Sequence, residues 1–169
     1  MLEICKQDLN LESEDNQSSS REKASKMFGI NIANEALRKI VAYTQSSDEK
    51  IGLLIGTMAQ DGLWVTDAVG GYGPAHSTGT VLLPQALARV ADDIIKGKIG
   101  GTIVGWYHSH VGHGIFLSNV DIDTQLKLQQ FSPYVVALVI DPTVNQFGVF
   151  MYDPRFGLVQ LPSSQIRIV

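Results

Sequence analysis

Cysteine is nearly absent from the 169-residue sequence: Cys5 stands alone, so no internal disulfide can form and no thiolate cluster can hold a metal. Basic residues are not in excess. With 13 Lys and Arg against 17 Asp and Glu, the net charge of −4 offers no electrostatic footprint for nucleic acid or an anionic membrane. No apolar run approaches the roughly 20 residues of a membrane helix, and the N-terminus lacks the basic-then-apolar order of a secretory signal. These absences lead us to expect a soluble, cytoplasmic protein. Charged residues are sparse at 18% while hydrophobic ones reach 44%, as in a globular chain, and the length suits one domain with a substantial core.

Residues 1–26 mix charges of both signs with the tract SEDNQSSS and show no apolar periodicity, which predicts a flexible tail containing Cys5. The domain is expected over 27–169. FGINI reads as a short strand, and ANEALRKIVAYTQ spaces Leu37, Ile40, Val41 and Thr44 along one helical face. KIGLLIGTM is a nearly continuous apolar run, as a buried strand would be, and LWVTDAV is the next strand. The stretch GGYGPAHSTG, Gly70 to Gly79, is glycine-rich and of a length at which loops tend to carry function. TVLLP predicts a strand ending at Pro84, and QALARVADDIIKG a helix stopped by Gly97. GTIVGWYHSH, YVVALVID and GVFMYD are strands, and SNVDIDTQLKLQQ is a helix. The segment GLVQLPSSQIRIV offers a last edge strand that Pro162 must break. Strands alternating with helices, some at hairpin spacing, predict a single α/β domain with a mixed sheet.

Three of the four histidines, His108, His110 and His113, fall within six residues, and Ser118, Asp121 and Asp123 follow. His108 and His110 are two apart in a strand, so both face one side. Taken alone, such a pair is commonly a polar strand edge. Ser118 and Asp121 have the spacing of a capping box, so they too have a purely structural role available. Yet side chains in a helix's first turn project toward the end of the preceding strand. Two imidazoles and a carboxylate make a three-ligand zinc set with an open fourth position, the catalytic rather than the structural pattern. Such a site needs a base. Ahead of KIGLLIGTM both Asp48 and Glu49 qualify, and local reasoning does not choose between them. His76 and His113 read as loop residues outside the ligand set. Trp106 shares a face with His108 and is either a core tryptophan or a neighbour of the metal.

His108-x-His110, seven residues, Ser118, two residues, Asp121 resembles the JAMM motif of the MPN+ metalloprotease family at four positions across fourteen residues. The family's E-x-x-G-x-L-x-G pattern is similar to Glu49 through Gly56, which selects Glu49 over Asp48. The resemblance runs from about Phe28 to Asp153. It implies an MPN fold, a mixed and mostly antiparallel sheet wrapped by helices, with one Zn²⁺ per chain held by His108, His110 and Asp121. It further implies that Glu49 acts as base and Ser118 as oxyanion donor in hydrolysing the isopeptide bond between the C-terminal glycine of ubiquitin, or a ubiquitin-like modifier, and a lysine. The loop residues Gly70, Gly71, Tyr72, Gly73, His76, Ser77, Thr78 and Gly79 would hold the modifier's extended tail by β-augmentation, with Trp106 as a further substrate contact. VGWYHSH, LSNVDIDTQ and VVALVIDP are most similar to the branch of the family found in the proteasome lid, and the brevity of the chain resembles its archaeal members. Ubiquitin-type conjugates, the proteasome or another MPN subunit are the partners this implies. One position departs from the family: Val111 replaces the usual proline after the second histidine, and this is expected to loosen residues 112–117.

Other zinc hydrolases fit less well. HSHVGH is similar to the H-x-H-x-D-H of metallo-β-lactamase-like enzymes, but Gly112 takes the aspartate's place and no histidine follows His113. A zinc deaminase needs H-x-E and C-x-x-C, and neither these nor H-E-x-x-H occurs. A non-catalytic MPN scaffold would have lost a ligand, and none is missing. A JAMM protease acting on a sulfur-carrier-type ubiquitin-like protein would keep the same site and change only the substrate.

Overall fold

The computed structural model describes residues 29–70 and 84–169. They form β1 (Ile30–Ile32), α1 (Asn34–Thr44), β2 (Ile51–Ala59), β3 (Gly62–Gly70), α2 (Pro84–Ile95), β4 (Thr102–Ser109), α3 (Asn119–Gln129), β5 (Val136–Asp141), β6 (Gln146–Asp153), β7 (Gly157–Gln160), a 3₁₀ turn (Ser163–Gln165) and β8 (Ile166–Ile168). The expected N-terminal tail and most of the expected strand TVLLP lie outside the described residues. Pro84 itself does not end a strand. It opens α2, where its fixed φ suits the first helical turn and its missing N–H leaves no bond unmade. Gly97 follows α2 at φ +70, as expected of a glycine that stops a helix. Among the described residues no helix is long and apolar enough to cross a membrane.

All eight strands belong to one sheet, in the order β7-β6-β5-β4-β2-β3-β1-β8. The pairs β2/β3, β2/β4, β5/β6 and β6/β7 are antiparallel, whereas β1/β3, β1/β8 and β4/β5 are parallel. The sheet is therefore mixed and mostly antiparallel. Alternation along the central strands divides the core between its two faces. Leu54 and Tyr107 join Ala36 and Ile40 of α1 in one cluster, and Leu53, Ile55 and Trp106 join Val90 of α2 and Leu128 of α3 in the other. Helices thus cover both faces, α1 on one and α2 with α3 on the other.

The glycines of Glu49–Gly56 have a steric cause. Gly52 pairs with Tyr107, whose ring folds across it, so a Cβ there would collide with the Tyr107 ring. A Cβ on Gly56 would collide with the carbonyl of Trp64 beside a bulge in the β2/β3 ladder.

Pro162 interrupts the final segment, but the result is two strands rather than one. β7 pairs with β6 at one edge of the sheet, and β8 pairs with β1 at the other. The six steps from Gln160 to Ile166 span at most about 22 Å. The seven inter-strand spacings of a flat sheet would span about 33 Å. The sheet must therefore curl until its two edges approach, and one short crossover joins them.

Candidate metal centre

β4 lies in the middle of the curled sheet, and its alternation presents Trp106 and His108 to the face that α3 covers. His110 follows at the strand's end, where its N–H donates to the Ile140 carbonyl of β5 (2.9 Å). α3 begins at Ser118 with a complete capping box. The Asp121 N–H donates to Ser118 Oγ (3.3 Å), and the Ser118 N–H and hydroxyl donate to Asp121 Oδ2 (2.7 and 2.6 Å). The cap holds Asp121 in the helix's first turn, facing the histidines. The expected structural role and the expected ligand role are therefore one arrangement.

His108 Nε2 and His110 Nε2 lie 2.9 Å apart, and Asp121 Oδ2 stands 3.3 Å from the first and 3.7 Å from the second. Ligand atoms at about 2.0–2.1 Å from a tetrahedral zinc are separated by about 3.3 Å, so the three distances straddle what such an ion would require. All three side chains are buried, and Asp121 Oδ1 is buried with no hydrogen-bond partner among the described residues. Burial alone would push the Asp121 carboxyl up, but hydrogen bonds with His108, His110 and Ser118 outweigh it and hold the group well below the usual carboxylate range. For His110, hydrogen bonding to the Asp121 carboxylate outweighs burial, and the Gly114 carbonyl and the charges of Asp121 and Glu49 add to it, raising the pKa. A buried anion beside two imidazole nitrogens suits a divalent cation.

Glu49 is half-buried just ahead of β2, and its charge acts on His110. The neighbouring pairing explains why. The Lys50 carbonyl accepts from the Ser109 N–H and the Lys50 N–H donates to Ser109 Oγ, both at 2.9 Å, so the residue before Lys50 comes alongside the end of β4. Asp48 is exposed in the preceding turn. His113 is an exposed loop residue, and Asp123 is exposed and paired with Lys127 at 2.6 Å, so both stay outside the cluster.

Trp106 belongs to the core rather than to a substrate surface. It is 0% exposed and stacks on His108 with ring centroids 4.9 Å apart and planes at 11°. Its Nε1 donates to Gln125 Oε1 (2.8 Å), whose Nε2 donates to the Val135 carbonyl (2.7 Å). The tryptophan backs the His108 imidazole and is itself held by α3. Gly70 ends β3, and Gly71, Tyr72, Gly73, His76, Ser77, Thr78 and Gly79 lie outside the described residues.

Three residues of the site escaped the sequence reading. Gln125 is four residues after Asp121, hence on the same face of α3, and this spacing could have found it. Phe116 lies with its ring 4.6 Å from His110 and remains 46% exposed beside the cluster. Asp141, a carboxylate ending the otherwise apolar run YVVALVID, receives N–H groups from Gly112 (3.2 Å) and Gly114 (2.9 Å). Val111 does not leave this loop without restraint: Asp141 ties it to the end of β5.

The fold and the cluster together define an α/β domain with a buried His-His-Asp site fit for a single metal ion. Residues 25–134 match the family described as JAB1/Mov34/MPN/PAD-1 ubiquitin protease, and the chain belongs to that family. COP9 signalosome complex subunit 5 of Oryza sativa is 38% identical over 137 residues, covering 73% of this chain and 38% of that protein. The 26S proteasome regulatory subunit RPN11 of Eremothecium gossypii is 30% identical over 149 residues, covering 82% and 45% respectively. A Theionarchaea protein named NAD(+) hydrolase TcpA is 35% identical over 130 residues, covering 73% and 37%. In each case the match spans less than half of the relative. A solution structure of a Desulfitobacterium hafniense protein has the same fold, with a TM-score of 0.64 at 20% identity over 83% of this chain and 92% of that one.

Proposed function

We propose that the chain is a zinc-dependent isopeptidase that hydrolyses the bond between the C-terminal glycine of ubiquitin, or a ubiquitin-like modifier, and a substrate lysine. The observation that carries this reading is the convergence of His108, His110 and Asp121 at 2.9–3.7 Å with Glu49 alongside. His108, His110 and Asp121 would hold one Zn²⁺. When bound, such an ion acts as a Lewis acid and lowers the pKa of water toward neutrality, from about 15.7 to about 7 in favourable sites.

In this mechanism Glu49 accepts a proton from the attacking water and returns it to the lysine amine as the C–N bond breaks. Ser118 turns its hydroxyl to the carbonyl oxygen that gains charge, a contact whose loss elsewhere costs about 2.7–4 kcal/mol. Trp106 and the Gly114 carbonyl fix the two imidazoles, so little reorganisation accompanies the chemistry. The modifier's tail lies extended along the segment from Gly70 to Gly79. Relatives named as subunits of the proteasome and the COP9 signalosome favour a cytoplasmic setting and a proteasome or second MPN subunit as partner.

The test incubates the zinc-loaded chain with a lysine-linked ubiquitin dimer and with a sulfur-carrier-type conjugate, with and without chelator. NAD⁺ serves as a further substrate, since one relative is named for hydrolysing it. Chelator-sensitive cleavage of one of the conjugates is expected, and Glu49→Gln should abolish it while keeping zinc. Activity retained by Glu49→Gln would sink the base assignment, and stoichiometric zinc in His108→Ala or Asp121→Ala would refute the ligand set. No cleavage of either conjugate by the zinc-loaded chain would favour a scaffold.

A further inference from the structure

We propose that Asp141 is a positioning residue that fixes the ligand nitrogen of His110 through the backbone of Gly114; this rests on His110 being a metal ligand. Asp141 closes β5 and is 1% exposed. A carboxylate so buried needs donors, and it has four among the described residues. Oδ1 accepts from the Gly112 N–H (3.2 Å), the Thr143 N–H (3.0 Å) and the Thr143 hydroxyl (2.6 Å), and Oδ2 accepts from the Gly114 N–H (2.9 Å). Two of these donors belong to the loop between β4 and α3. Gly112 and Gly114 adopt φ of +75 and +83, a conformation open to glycine and strained for other residues.

The carbonyl of the same Gly114 accepts from His110 Nδ1 (3.0 Å). A neutral imidazole carries one N–H and one lone pair, so a proton held at Nδ1 leaves the lone pair on Nε2. Nε2 is the atom that faces His108 and Asp121. The chain of contacts from Asp141 to the Gly114 N–H, the Gly114 carbonyl and His110 Nδ1 therefore selects the tautomer and ring orientation a metal requires. His108 is held differently: its Nδ1 has no partner among the described residues, and the Trp106 stack orients it instead. Loss of the Asp141 carboxylate should thus act on His110 directly and reach His108 only through their Nε2 contact.

Asp141→Asn isolates the link. An amide oxygen at Oδ1 keeps three donors, while the amide nitrogen at Oδ2 confronts the Gly114 N–H; the flipped amide forfeits all three. Zinc affinity, measured by competition with a chromogenic chelator, should fall about 10–100-fold. In the metal-free protein at alkaline pH, nitrogen-detected imidazole NMR should find the His110 proton on Nδ1 in wild type and displaced in Asp141→Asn. Leu63→Ala, which opens the core far from the site, should lower Tm without altering affinity or tautomer. A wild-type chain that binds no zinc sinks the metal site and this proposal with it. A wild-type chain that binds zinc, beside an Asp141→Asn variant of unchanged affinity and tautomer, overturns the proposal alone. Should Asp141→Asn not fold, the wild-type spectrum still decides: a His110 proton on Nε2 overturns the link.

Discussion

The Ser118 hydroxyl has an observed duty as helix cap and a proposed one as oxyanion donor, and their signatures separate. As N-cap it accepts from the Asp121 N–H, and as a donor it reaches Asp121 Oδ2, the oxygen nearest both histidines. Replacing a serine cap by alanine typically costs about 1 kcal/mol, whereas glycine at the cap costs only a few tenths. Removing an oxyanion donor lowers kcat by roughly 10²–10³. Ser118→Gly is therefore expected to keep a Tm close to wild type while losing about two to three orders of magnitude in kcat. Ser118→Ala should lose as much activity and also melt about 2–4 °C lower. If Ser118→Gly retains most of its turnover at full zinc occupancy, the hydroxyl serves the helix alone.

At the level of elements, what could be read from the sequence was what depends on local spacing. The two-residue interval of His108 and His110 is a property of any strand, and the Ser118/Asp121 interval of any helix start, so β4, α3 and the three convergent side chains follow from neighbours in the chain. What could not be read depends on partners far away. Trp106 shares a strand face with His108 wherever it lies, and only the packing of α3 shows that this face is buried. The final segment reads as one strand broken by Pro162, because nothing local says that β8 crosses to the opposite edge to pair with β1. That pairing has a measurable consequence. The Val169 carbonyl accepts from the Asn34 N–H (2.7 Å), a first-turn donor of α1 that has no acceptor within the helix, and the Val169 N–H donates to the Ile32 carbonyl (3.0 Å). Deleting residues 166–169 should remove about 2 kcal/mol of net hydrogen bonding and lower Tm by about 4–8 °C. Zinc content should stay unchanged, because β4 and α3 lie on the far side of β2 and β3. An unaltered Tm would mean that β8 contributes nothing to closing the sheet.

For the whole molecule, a metal bound as proposed at the buried cluster would couple folding to both pH and metal, with opposite signs. Without metal, the raised His110 pKa stabilises the fold fully below the ordinary value of 6.5, and that stabilisation is lost as pH rises through the folded value. Asp121 is depressed, so its contribution is present above the ordinary 3.8 and is lost as pH falls through its lower folded value. For these two groups the metal-free protein is therefore most stable between about pH 4 and pH 6.5 and weakens above that window. Metal binding reverses the trend, because both imidazoles must be neutral to act as ligands and binding releases any proton they carry. One proton released per ion changes affinity about tenfold per pH unit, or about 1.4 kcal/mol, below the His110 pKa. At about 2–4 °C per kcal/mol, the gap between zinc-loaded and chelator-treated melting temperatures should widen by about 3–6 °C per unit from about pH 5.5 upward. It should level off once His110 is neutral. Paired thermal melts across this range measure the gap directly. A gap that is the same at every pH would show that the ion is not held by these histidines, however close together the fold brings them.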